Sequence, residues 1–207
     1  MSRYAHLTCT APVREVQDEH GSLAANDRRL AGGDTGPDAL GPVETEFVTG
    51  LDGFYLGTVN ADGWPYIQYK GGPPGFVHVL DEHTLALADV RGNRQYLSAG
   101  NLRTDDRVAL FFMRYATRTR LKVLGRARSV RIDEAPELAA RLADLRTDGA
   151  VERLLVVDVE GLAWNCPQHI TPRFTVEEIE QGVAGLQARI EELERENRRL
   201  RAVSASG

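Results

Sequence analysis

The sequence predicts a mainly β protein with flanking helices, built around an antiparallel barrel. Short strand-like segments follow one another between Phe54 and Trp164 and are joined by short turns. Helical patterns between these segments are few, which argues against the crossover helices that a parallel sheet requires. A heptad pattern at the end of the chain predicts an additional C-terminal helix.

Composition predicts one main domain with appendages. The 207 residues include 42% hydrophobic and 27% charged residues, with a net charge of -5. This charge gives no global field that would favour nucleic acid or an anionic membrane. No apolar run approaches a membrane span, and the first residues lack the apolar core that a signal peptide has. Cys9 and Cys166 suit a reducing compartment, so we expect a cytoplasmic protein that binds neither nucleic acid nor membrane.

The first part of the chain, residues 1–41, predicts an N-terminal extension. Short helices are expected near 12–19 and 22–30, followed by a linker rich in glycine and proline. Pro42 then begins a helix with acidic residues in its first turn, which suits the helix dipole. This helix is expected to end near residues 50–53.

The main domain, residues 42–173, carries the strands. Its helical pattern at 135–146 has apolar residues at Leu138, Leu142 and Leu145. The strand-like segments are a hairpin at 54–72, a hairpin at 75–90, strands at 106–115 and 117–132, and a long strand at 151–164. Short connections between them favour antiparallel pairing.

The C-terminal part, residues 174–207, has apolar residues spaced alternately by four and three. Branched residues at a, leucine at d and Asn197 at a favour a parallel two-stranded coiled coil from about residue 186. The charges at heptad positions e and g also favour this parallel pairing, because Arg189 would face Glu194 of a second copy and Glu196 would face Arg201. The alternative is a solvated helix packed on its own domain. About two solid heptads are too short to hold a dimer alone, so a larger interface is expected elsewhere.

A basic loop is the first candidate for chemistry. Arg91, Gly92, Asn93 and Arg94 follow a strand and precede a helical-looking run that contains Ser98. A glycine-bearing loop before a helix start can hold a phosphate through backbone N–H groups, and guanidinium groups add charge-assisted hydrogen bonds. A basic surface loop is the alternative.

Two strands carry further candidates. Arg118, Arg120 and Lys122 alternate and would share one strand face, where they either face an anion or are solvated. Gln68 and Lys70 also share a strand face, and both side chains can bind polar groups of a ligand.

The exit of the last strand, Trp164–Phe174, is the fourth candidate. Trp164 could lie against a flat ring, while Asn165, Gln168 or His169 could hydrogen-bond a ring edge. The alternative is a strand end anchored by Trp164, with a structural role for His169. Nucleophile-elbow, Walker, G-x-G-x-x-G and HExxH patterns are missing, and two potential ligands do not predict a metal site.

Together these blocks resemble the pyridoxamine 5′-phosphate oxidase-like, FMN-binding split-barrel proteins. The resemblance covers about residues 12–178 and rests on "FYLGTVNADGWPYIQYKGG", "LALADVRGNRQYLSAGNLRTDDRVALFF", "RLKVLGRARSV" and "WNCPQHITPRF". It implies a six-stranded antiparallel Greek-key split β-barrel and a homodimer with two FMN sites at its interface. The implied activity is an FMN-dependent oxidoreductase that transfers hydride or electrons with a small-molecule substrate.

The resemblance also implies a cofactor site. Its residues on the flavin and phosphate would be Gln68, Lys70, Ala88, Asp89, Arg91, Asn93, Arg94 and Ser98. Arg120 stands where the oxidases often carry a glutamine that contacts flavin from the partner chain. The tryptophan-and-arginine motif of the oxidases has no clear match in the Trp164 segment, so their substrate is not carried over.

Other ligands remain alternatives. Related split barrels use haem or the deazaflavin F420, and His169, His78 or His83 would be the possible haem ligands. A non-catalytic flavin-binding or redox-sensing module is a third interpretation. No catalytic acid or base is assigned, with His169 as the candidate.

Overall fold

The computed structural model describes residues 3–31, 33–34, 36–142 and 149–204. Its strands are β1 (Gly53–Val59), β2 (Pro65–Gly71), β3 (Val77–Asp81), β4 (Thr84–Val90), β5 (Arg107–Arg114), β6 (Thr119–Arg131) and β7 (Val151–Asn165). Its helices are α1 (Arg3–Thr8), α2 (Ala11–Glu19), α3 (Leu23–Leu30), α4 (Pro42–Thr49), α5 (Leu97–Asn101), α6 (Pro136–Arg141) and α7 (Val176–Ser204). A 3-10 turn spans Ile132–Glu134.

The strands of the described residues form one seven-stranded sheet in the order β2-β1-β5-β6-β7-β4-β3. Every neighbouring pair is antiparallel, as the short turns predicted. The six strands that the resemblance implied are wrong: the described residues form seven, matching the seven strand-like segments of the sequence, and β3 forms an edge of the sheet beside β4. The sheet does not close through backbone pairing. It curls enough, however, for Lys70 on edge strand β2 to reach Asp89 on β4.

The core lies on the concave side of this curl. Alternation in β1 buries Phe54 and Leu56, which are 1% and 0% exposed, and Phe54 packs 4.8 Å from Phe112 of β5. Each such side chain contributes about 1.5–3 kcal/mol when fully buried. Leu121 of β6 and Val157 of β7 complete the same layer. The period-two pattern therefore decides which face of each strand points inward.

A β-bulge interrupts the pairing of the two longest strands. The register between β6 and β7 shifts between Leu124 and Gly125. A Cβ at Gly125 would lie 2.5 Å from the backbone oxygen of Asp158, so a larger residue would displace the neighbouring strand. Bulges of this kind bend a strand and increase its twist.

The N-terminal helices belong to the same compact unit as the sheet. α2 and α3 confirm the expected helices, whereas the sequence did not indicate α1. The Asp38 carboxylate accepts hydrogen bonds from the backbone N–H of Arg3 at 2.8 Å and of Leu162 at 2.9 Å. The Asp38 side chain therefore connects α1 to β7.

α4 and α6 lie where the sequence placed helices. α4 begins at Pro42, and the backbone N–H of Gly41 donates to Glu44 Oε2 at 3.1 Å. α6 is followed by Leu142, which is fully buried against Leu154 in a smaller apolar cluster. Leu145 lies outside the described residues.

The second compact unit comprises residues 115–118 and the chain from 169 onward. Arg118 lies in the β5–β6 turn with φ 56°, so the expectation that it extends the β6 face is wrong. α7 is capped reciprocally: Thr175 Oγ1 accepts from the Glu178 N–H, and Glu178 accepts from the Thr175 N–H. In the described part of the chain, no helix is long and apolar enough to cross a membrane.

Candidate functional site

A cleft of about 210 Å³ opens between β2, the segment after β4, α5 and the start of β7. Six of the predicted site residues line it: Gln68, Lys70, Asp89, Asn93, Arg94 and Ser98. The remaining lining residues are Tyr66, Val90, Gly92, Gln95, Tyr96, Leu97, Ala99, Glu152 and Arg153. The curl of the sheet thus brings two strands together that are far apart in strand order.

The floor of the cleft contains an ion pair. Lys70 Nζ lies 2.5 Å from Asp89 Oδ1, and the two side chains are 11% and 25% exposed. Ala88 precedes Asp89 and points to the opposite face of β4, because successive side chains alternate. Ala88 is half-buried and does not line the cleft.

A second polar pair joins β2 to α5. Ser98 Oγ donates to Gln68 Oε1 at 2.7 Å, and Ser98 is 7% exposed. This bond fixes the amide orientation, so Gln68 Nε2 is its donor end. Among the described residues, none accepts a hydrogen bond from that nitrogen. Gln68 can therefore present N–H donors to a ligand.

The loop between β4 and α5 has an unusual backbone. Arg94 has φ 62° and Tyr96 has φ 53°, a left-handed region that costs free energy for non-glycine residues and often marks a functional site. Asn93 Oδ1 accepts from the Gln95 N–H at 3.1 Å, which supports the turn. Gly92 has no positive φ, and a Cβ there would meet nothing within 4 Å. The fold itself therefore does not require glycine at position 92.

The two arginines of this loop differ. Arg91 Nε donates to Glu152 Oε1 at 2.6 Å, and Arg91 does not line the cleft. The Tyr96 hydroxyl donates to Glu152 Oε2 at 3.0 Å. Both contacts lower the pKa of Glu152, with the Arg91 hydrogen bond first. Arg94 lines the cleft, and its guanidinium has no hydrogen bond or ion pair to any described residue.

The lining residues that sequence reasoning missed include Tyr66, Tyr96, Glu152 and Arg153. Tyr66 was detectable, because it shares the alternating face of β2 with Gln68 and Lys70. Glu152 and Arg153 stand in β7, and only the pairing of β4 with β7 brings them to the cleft. The expected helix after the loop is only five residues long, so its dipole adds little.

Three other predicted residues lie at the opposite end of β7. Trp164 is up to roughly 35 Å from Arg153 along the strand, at about 3.3 Å per residue. Its indole N–H donates to Glu44 at 2.7 Å, and its ring packs edge-on 4.8 Å from Phe47. Arg120 is paired across the strands with Asn165, and the amide orientation that satisfies both groups places the Asn165 oxygen 2.8 Å from Arg120 Nε. Within one chain, these residues do not reach the cleft.

The remaining candidates are exposed or engaged elsewhere. Gln168 is exposed in the turn after β7, and His169 has φ 60° in the second unit. Lys122 Nζ lies 4.9 Å from the centroid of the Tyr4 ring, so this β6 cation has a structural contact. Arg120 and Lys122 are half-buried and contact neighbouring residues, so a simply solvated outer face does not describe them.

Solved structures with similar folds come from several bacteria. HupZ of group A Streptococcus is 17% identical, with a TM-score of 0.48, covering 64% of this chain and 98% of HupZ. A Clostridium acetobutylicum protein of the pyridoxinephosphate oxidase family, related to general stress protein 26, is 18% identical, with a TM-score of 0.43 and coverage of 65% and 92%. An FMN-binding protein of Syntrophomonas wolfei is 12% identical, with a TM-score of 0.45 and coverage of 75% and 98%.

An F420 reductase and HutZ, the heme storage protein of Vibrio cholerae, are also similar, at 19% and 20% identity. Their TM-scores are 0.39 and 0.40; coverage is 60% of this chain for each, and 98% and 93% of the other chain. No curated protein gives a significant match. The family model for pyridoxamine 5′-phosphate oxidase matches residues 43–162, which is more than half of the chain and includes the cleft-lining residues. The chain therefore belongs to the pyridoxamine 5′-phosphate oxidase family.

Proposed function

We propose that this protein is an FMN-binding flavoprotein oxidoreductase that works as a homodimer on a small-molecule substrate. The observation that carries the proposal is the composition of one cleft. A guanidinium that makes no hydrogen bond or ion pair among the described residues, an ammonium group and an oriented amide line the same small space. These groups match the phosphate and the polar ring edge of FMN.

The phosphate would bind at the β4–α5 loop. Arg94 offers a cationic fork that matches a phosphate oxygen pair. Gly92 has no conformational or packing reason to be glycine within the chain, and its missing Cβ allows a ligand to approach the backbone closely. Arg91 would act indirectly, because its bond to Glu152 holds the start of the loop on β7.

The flavin ring would lie toward β2. When bound, FMN supplies the hydride or electron transfer itself. Gln68 would orient the ring through its amide N–H donors, which the Ser98 hydroxyl holds in place. Lys70 would place positive charge near the ring, and Asp89 would moderate that charge through the ion pair.

Two features support a homodimer. A cleft of about 210 Å³ is smaller than the roughly 300–1,000 Å³ of complete small-molecule sites, so one chain supplies part of a site. On the outer face near β2, Trp64, Ile67 and Tyr69 are 72%, 70% and 56% exposed, and a second copy would cover them. The group around Arg120 and Trp164 would then meet the cleft of the partner.

The C-terminal helix supports the same assembly. The heptad residues of α7 are exposed along its length, with Leu186 and Ile190 at 65% and 56%. A parallel two-stranded coiled coil would bury them and align Arg189 with Glu194 of the second copy. We propose this pairing as an addition to the main interface.

Purification and spectroscopy test the proposal. The protein should carry FMN or take it up with flavin absorbance, and a preparation that does neither would refute the proposal. Arg94→Glu should weaken retention of FMN by about tenfold or more, because it replaces a charge-assisted contact with repulsion. Arg107→Glu makes the same charge change at a 73% exposed site outside the cleft and should leave retention unchanged.

The same spectrum separates the other ligands. Haem would give a Soret band, and F420 would show its own absorption. Among the described residues that line the cleft none is histidine, which favours flavin over a histidine-ligated haem. Failure to turn over NAD(P)H or amine substrates, together with capture of a heterologous partner, would instead support a non-catalytic flavin module.

A further inference from the structure

A larger cavity adjoins the cleft. It has a volume of about 830 Å³, within the range of small-molecule sites. The two spaces share the wall formed by Gln95, Tyr96, Ala99, Glu152 and Arg153. The far side of the larger cavity is formed by the end of β6 and the turn after α5, which the proposed FMN site does not use.

Positive charge is in excess in this cavity. Three guanidinium groups, those of Arg103, Arg131 and Arg153, face two carboxylates. Asp133 is already bound by Arg131 at 2.6 Å, and Glu152 is bound by Arg91 from outside the cavity at 2.6 Å. The carboxylates therefore cannot also neutralise the remaining guanidinium groups fully.

The other two arginines differ in their partners. Arg153 hydrogen-bonds Ser129, at 2.6 Å to Oγ and 3.1 Å to the backbone oxygen, and both acceptors are neutral. Arg103 makes no side-chain hydrogen bond or ion pair with any described residue. Its backbone N–H donates to Gly100, which fixes the turn that carries it. Arg103 is thus held at the cavity with its donors available.

Apolar groups complete the lining. Ile132, Val151 and Ala99 lie on the cavity wall beside the guanidinium groups. A ligand that fits this arrangement has an apolar body and one anionic group, because a guanidinium fork pairs with two oxygens of a phosphate or carboxylate. We infer that this cavity is a second binding site, for a small organic anion, with Arg103 as its main anion contact.

Calorimetry with phenyl phosphate and benzoate tests this inference on the full chain. Both probes carry a ring and an anion, and their relative affinities distinguish a phosphate site from a carboxylate site. Phenol, the neutral control, should not bind. Binding should persist in Arg94→Ala, which removes the proposed FMN phosphate contact, and should weaken about tenfold or more in Arg103→Ala. Arg107→Ala should behave as the unaltered protein.

The outcomes separate this site from the FMN proposal. If Arg94→Ala abolishes anion binding and Arg103→Ala leaves it unchanged, only the cleft binds anions and the second site is refuted. If neither the unaltered protein nor any variant binds a probe, the second site is also refuted. If FMN does not bind but Arg103-dependent anion binding persists, the second site stands and the FMN proposal fails. Arg103→Lys keeps the charge without the fork and should restore part of the affinity, which excludes misfolding as the cause.

Discussion

The Lys70–Asp89 ion pair makes the most direct prediction from the geometry of the cleft. Exposed ion pairs contribute about 0–1 kcal/mol, whereas removal of one partner from a buried pair costs about 3–5 kcal/mol. Side-chain exposures of 11% and 25% place this pair between those limits. We therefore expect Lys70→Met to lower the free energy of unfolding by about 1–3 kcal/mol, and the two residues to be coupled by about 1–2 kcal/mol.

Urea unfolding of the FMN-free protein, Lys70→Met, Asp89→Asn and the double variant measures this coupling. A coupling energy near zero would show that the pair does not form. FMN titration of the same variants separates structure from function. Lys70→Met should weaken FMN binding, whereas Asp89→Asn should strengthen it by removing negative charge from the cleft. Equal weakening by both variants would refute the assigned role of Lys70.

Three other predictions concern the loop and the assembly. Gly92→Ala should leave thermal stability nearly unchanged but reduce FMN retention, since its Cβ would meet only a ligand; unchanged retention would remove Gly92 from the site. The pKa of Glu152 lies below its usual 4.5, so its contacts stabilise the folded state above that pH, and the stabilisation is lost as pH falls through the folded pKa. Melting curves of Glu152→Gln should therefore differ from the unaltered protein most at neutral pH and converge in acid; a constant difference would contradict this. Deletion of 186–207 should weaken dimerisation without abolishing it, and a clean monomer in sedimentation would disprove a main interface elsewhere.

Local patterns were enough to place most elements. Alternation along Tyr66–Lys70 predicted a strand with one polar face, and Pro42 marked the start of α4. The sequence did not indicate α1, because its position depends on the bonds that Asp38 makes with the backbone of both α1 and β7. The count of six strands came from the family resemblance, whereas the local pattern had already placed β3 in the hairpin expected at 75–90.

The candidate site shows the same division. Arg94, Gln68 and Lys70 were identifiable because charge and alternation are visible along the chain, and the cleft brings all three together. Glu152 could not be identified from the sequence, because it lies in β7, far along the chain, and only strand pairing brings it to the loop. Arg120 was expected to contact flavin from the partner chain, and that expectation stays a prediction; within one chain it lies across from Asn165 on the neighbouring strand.

By itself, the sequence determined the order of the strands and helices, the inward face of each strand, and the side chains able to bind an anion. These features depend on the periodicity and the chemical type of residues that lie near one another in the chain. Only the tertiary structure decided that β2 and β4 meet across the curled sheet, and that Arg91 rather than Arg94 forms the ion pair with Glu152. It also decided that a second cavity, lined by Arg103 on its far side, adjoins the cleft. Such contacts join residues distant in the chain and depend on how the sheet twists and curls, which no local pattern records.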